Sequence, residues 1–114
     1  MKAQHRLQRQ LVEAVRKSLA GSQHPGIPEA GRLLWGWFLG LSATRTSNGR
    51  GPNPITFAEI EAYGRVHGWP MRQDHIAILL AMDRAYLEDA DRRNGKDRGP
   101  AQRLTAEAFD AVFG

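Results

Sequence analysis

Leu7, Leu11, Val15 and Leu19 fall at successive steps of four with Val12 beside them, and the positions between hold Arg, Gln, Lys and other polar or small residues. That is a single apolar stripe on an α-helix, ended by Gly21 and Pro25, so residues 1–24 read as a basic amphipathic helix. Such a helix docks on its own domain through the stripe, or lies against an anionic membrane or a nucleic acid. The connector "GSQHPGIP" follows, and Pro28 suits the first position of a second helix starting near Glu29, where no backbone donor is needed. From Leu33 to Leu41 the pattern changes: "LLWGWFLGL" sets Leu34, Trp37, Phe38 and Leu41 on one side and Trp35 on another. One face cannot bury all of it, so this helix is either central or partly exposed for a partner. Gly36 and Gly40 permit close approach, although each lowers helix stability by about 1 kcal/mol relative to alanine.

"TRTSNGRGPNP", residues 44–54, interrupts the helical pattern. Asn48-Gly49 and Gly51 favour left-handed backbone, and Pro52 and Pro54 push their predecessors into extended geometry, so the loop is shaped rather than floppy. In "ITFAEI", Thr56 is a good N-cap and Glu59 completes a capping box. The third helix then runs to about His67 and is expected to bury Phe57, Ile60, Tyr63 and Val66. After "GWPM", the segment "RQDHIAILLAMDRAYLEDADRR" is the clearest helix, with Ile76, Leu79, Leu80, Met82 or Asp83, Tyr86 and Leu87 recurring at three and four. Asp74 stands in its first turn and Arg92 and Arg93 in its last, as the helix dipole prefers. "NGKDRGPAQR" reads as a charged linker, and "TAEAFDAVFG" as a short helix capped by Thr105 with Phe109, Val112 and Phe113 on one side. No segment alternates as a strand does. The expectation is an all-α protein: a small single domain of about four helices plus a short C-terminal helix, divided into the N-terminal helix (1–24), a helical core with the loop (28–93), and the linker with its terminal helix (94–114).

Composition narrows the functional classes. A chain of 114 residues supports one modest core and no cleft between lobes. The absence of cysteine excludes a disulfide framework, a thiol nucleophile and any cysteine-bearing zinc site. No apolar run reaches the roughly 18 residues of a membrane span, and "MKAQHRLQRQ" lacks the apolar block of a secretion signal, so a soluble protein retained in the cell is expected. The net charge of +4 is unevenly spread, with both flanks basic and residues 29–90 at −1.

Candidate chemistry is sparse. His5, His24, His67 and His75 show no pairing at helical ligand spacing, and Glu59/Glu61 and Glu88-Asp89 with Asp91 read as solvent-facing carboxylates. "SNGRGP" lacks the lysine and the strand of a phosphate loop, which leaves Arg45 and Arg50 either to meet an anion or to bind nearby carbonyls. The stretch 57–82 has the outline of a helix-turn-helix, yet beyond Arg72 and Gln73 its second helix is "IAILLAM", fit for burial and not for base edges. No catalytic residue, metal or cofactor is expected, and the reading is of a protein that is not an enzyme.

The loop and its flanks carry a more specific signal. Trp35 to Phe38, Leu41-Ser42, Arg45, Ser47 to Gly51, Pro52 to Ile55, Thr56, Glu59-Ile60, Tyr63, and Met82-Asp83 with Ala85 to Leu87 resemble the pattern of the tail assembly chaperones of long-tailed phages. The resemblance covers roughly residues 33–90, about half of the chain. It implies a protein of the host cytoplasm that keeps the long apolar tape-measure protein soluble and helps tail-tube subunits assemble on it, with a possible upstream chaperone product made by frameshifting. Neither a membrane nor a nucleic acid is expected as partner, and the oligomeric state stays open. Partner contacts are then expected from Trp35, Trp37, Phe38 and Leu41, with Arg45, Asn48 and Arg50 as polar groups beside them. Trp37 and Phe38 also fit the core of a four-helix domain, and Trp35, off the main stripe, is the better contact. The alternatives are a small helical DNA-binding or regulatory protein, or a structural tail or connector adaptor.

Overall fold

A computed structural model describes the backbone of residues 2–113 and the side chains of residues 3–93. Its order is α1 (Lys2–Leu19), a single 3-10 turn (Glu29–Gly31), α2 (Arg32–Ala43), α3 (Phe57–His67) and α4 (Gln73–Phe113). The all-α expectation holds. α1 lies along α4, and α2 and α3 pack on the same helix, so α4 is the axis of the molecule.

Each helix buries the stripe its sequence offers. Leu11, Ala14 and Val15 of α1 are buried, with Leu7, Val12 and Leu19 packed around them. Gly31 lets α1 come close, because a Cβ there would lie 2.8 Å from Leu11 Cδ2. On α4 the buried set is Ile76, Ile78, Leu79, Met82 and Ala85. This stripe is wider than the one read from spacing, which lacked Ile78, because three elements cover α4 and not one. α4 continues through the charged stretch read as a linker and ends at Phe113. The packing expected of a short helix at Thr105, Phe109, Val112 and Phe113 lies outside the described residues.

The question raised by α2 is resolved on both sides. Leu34, Trp37, Phe38 and Leu41 are buried, while Leu33 and Leu39 are 57% and 52% exposed and Trp35 is half-buried. Of its two glycines only Gly40 is closely covered: a Cβ there would collide with the Tyr63 phenol of α3, whereas Gly36 faces open space.

α3 starts on the expected capping box, with Thr56 Oγ1 accepting from the Glu59 amide at 3.1 Å and Glu59 Oε1 accepting from the Thr56 amide at 2.8 Å. It ends on Gly68 at φ 72°, where the Trp69 amide donates back to the Gly64 carbonyl at 2.8 Å. Ile60 is fully buried, but the expected burial of Phe57 and Val66 is corrected: they are 56% and 81% exposed. Val66 lies about 120° round the helix from Ile60 at 3.6 residues per turn, and Phe57 is the first residue of α3, at the very end of the buried stripe.

Candidate partner-binding surface

The loop between α2 and α3 is tied down at its base by two charges drawn from distant parts of the sequence. Arg45 follows the end of α2 and turns inward, and Asp83 projects from the first third of α4 to meet it. Nη2 and Oδ1 stand 2.7 Å apart with both side chains over nine-tenths buried, at 6% and 4% exposure. Arg45 Nη1 donates to the Asn53 carbonyl at 3.0 Å and Nη2 to Ser42 Oγ at 3.2 Å. The guanidinium also lies over the Tyr86 ring, 4.1 Å from its centroid, a cation–π contact. Asp83 Oδ2 accepts from the Ile55 amide at 3.0 Å. Two atoms of the pair, Arg45 Nε and Asp83 Oδ1, are buried without a hydrogen bond. The 2.7 Å approach is therefore an ion pair whose angles fall short of a hydrogen bond. Charges taken out of water in this way depend on each other far more than surface pairs do.

Beyond its base the loop is a short hairpin. The Asn53 amide donates to the Thr46 carbonyl at 2.8 Å and the Asn48 amide to the Gly51 carbonyl at 3.1 Å, with Ser47 bridged to Pro52. Asn48 Oδ1 accepts from the amides of Arg50 and Gly51 at 2.9 and 3.2 Å, and Gly49 supplies the positive φ of 88° that a side chain would resist.

Surface cavities open beside α2, α3 and the hairpin. A groove of about 250 Å³ between α2 and α3 has Leu41 and Ile55 at its base, Ala62 and Tyr63 on one wall, and Val66 and His67 at its rim. A second, of about 430 Å³, lies between the connector and α2 and is lined by Pro25, Ile27, Arg32 and Trp35. The third, about 350 Å³, separates the hairpin from α4 and includes Asn48, Arg50, Pro52 and Leu87. Next to the first groove, Trp69 stacks on His67 at 4.7 Å and meets Trp37 at 5.3 Å, which ties the α3–α4 turn to α2. At the start of α4, Arg72 donates to both carboxylate oxygens of Asp74 at 3.1 Å and holds that carboxyl below its usual pKa.

The seven residues expected to meet a partner are thus dispersed. Trp37 and Phe38 are core, Arg45 is buried in the ion pair, and Leu41 reaches the first groove only at its base. Trp35 lines the second cavity, and Asn48 and Arg50 line the third. Arg45 takes the carbonyl-binding role that sequence reading held open beside the anion one. Asp83 and Val66 were missed as site residues. The signal for Asp83 was its position as the one acid inside "IAILLAMDRAYL"; Val66 had none, since its spacing alone reads as core. The helix-turn-helix outline does not present a reading helix, because Ile76, Ile78, Leu79 and Met82 of α4 face the core. Among the described residues no group of acids and histidines is placed to hold a metal ion, and no helix is long and apolar enough to cross a membrane.

A family model described as phage tail assembly chaperone matches residues 10–88, from the middle of α1 through the loop to the Asp83 region of α4. No curated protein and no solved structure matches the chain.

Proposed function

The chain belongs to the phage tail assembly chaperone family, and from that premise we propose that it binds an apolar helical segment of a tail protein in the α2–α3 groove. The tape-measure protein is the client this reading favours, with the tail-tube subunit as the second. Binding of this kind needs neither catalysis nor a cofactor, and it takes place in the host cytoplasm before the tail is complete.

One observation carries the reading: Val66, on the rim of an apolar groove, is 81% exposed. An aliphatic side chain left in water beside a floor of Leu and Ile is what a client helix covers with its own stripe.

Co-expression of the chain with its tape-measure protein, followed by pull-down at low and high salt with DNase present, tests the proposal. A salt-resistant complex that keeps the partner soluble and disappears in Val66→Asp is the expected result. Retention of the full complex by that variant removes the groove from the account. Complex formation that follows nucleic acid and vanishes with salt points instead to the basic flanks, and the chain's presence in finished particles points to a structural adaptor.

A further inference from the structure

Ile55 is where the buried ion pair and the groove meet. Its side chain, 6% exposed, forms part of the groove base, while its amide donates to Asp83 Oδ2 at 3.0 Å. Arg45, on the other side of the same carboxylate, holds the Asn53 carbonyl at 3.0 Å, two residues earlier on the segment that leads out of the hairpin. Residues 53–55 are therefore gripped by one acceptor and one donor, both on side chains that are themselves buried and paired. The bonds of Asn48, Asn53 and Thr46, by contrast, close the hairpin on itself.

From this we infer that Arg45 and Asp83 are positioning residues for the groove: they set the depth at which Ile55 sits between α2 and α3, and so the fit of a client helix, without touching the client. The inference rests on the groove reading above. It differs from a purely stabilising role, in which the pair matters only for keeping the domain folded. Replacing a buried ion pair by apolar residues of similar volume commonly leaves stability unchanged or raised, which makes the two roles separable.

The experiment compares the full chain with Arg45→Met/Asp83→Leu and with Asp83→Asn. The probe is a synthetic amphipathic helical peptide carrying leucine at i, i+3, i+4 and i+7. Fold is followed by circular dichroism, and Ile55 by amide hydrogen exchange and amide chemical shift. In the double variant, which lacks the acceptor, the expected result is an intact helical fold, loss of Ile55 amide protection, shifts at Leu41 and Tyr63, and peptide binding weakened at least tenfold. Asp83→Asn keeps an oxygen for the Ile55 amide, so protection and binding within threefold of the parent are expected at a lowered Tm. A folded double variant that binds the peptide as the parent does overturns the inference. So does an Asp83→Asn protein that loses binding with its Ile55 amide still protected; that reading also decides the case if the double variant does not fold. Failure of the parent to bind the peptide sinks the groove reading instead, and the Ile55, Leu41 and Tyr63 signals then decide the positioning role by themselves.

Discussion

Single residues in this molecule differ sharply in what surrounds them, and the differences set the expected costs of substitution. Asp83→Ala leaves the Arg45 guanidinium buried without its counter-charge and the Ile55 amide without its acceptor. A loss of about 3–5 kcal/mol is expected, read as a Tm lowered by more than about 10 °C. Arg45→Ala has a similar effect, and the double substitution to alanine is expected to cost much less than the sum of the two. The two glycines of α2 make a second, opposed pair. Gly36→Ala adds a methyl group in open space and is expected to stabilise by up to about 1 kcal/mol through helix propensity. Gly40→Ala drives a Cβ into the Tyr63 phenol, 2.9 Å from Cζ, and is expected to destabilise in spite of the same propensity gain. Chemical denaturation of the two variants side by side checks both signs.

At the level of elements, much of what is local was legible in the chain. The Thr56–Glu59 capping box, the end of α3 at His67 and the stripe of α1 are each written in a few neighbouring residues, and each forms as read. Thr56→Ala is expected to cost about 1 kcal/mol by removing that cap, measurable as a Tm decrease of a few degrees. What escaped was relational. Spacing says that Val66 is apolar, and only the position of α2 relative to α3 says that nothing covers it. Likewise Trp37, Phe38 and Leu41 are indistinguishable in pattern from contact residues until α4 is seen to lie beneath them. Arg45 and Asp83 lie far apart in the chain, and no local rule joins a cation after one helix to an acid inside another.

For the whole molecule, the relevant contrast is between a basic surface and an apolar one. Arg6, Arg9, Arg16 and Lys17 with Glu13 occupy the exposed side of α1, while the groove lies between α2 and α3 and none of these residues lines it. If the groove is the binding surface, raising salt from about 0.05 to 0.5 M leaves client affinity within a few-fold, as apolar association requires. Duplex DNA, by contrast, is expected to bind weakly and to lose affinity steeply over the same range. Titration of the chain with fluorescent duplex and with the helical peptide at both salt concentrations measures the two slopes directly.

The buried pair also constrains how sequences of this kind can change over time. A lineage that alters Arg45 alone, or Asp83 alone, passes through a protein with a solitary charge sealed in its interior, and such intermediates are culled. Related chains are therefore expected to carry both charges or neither, while positions 53 and 55, which meet the pair through main-chain groups, are released from that constraint, and the survival of chains with only one of the two charges would mean that this interior is open to water.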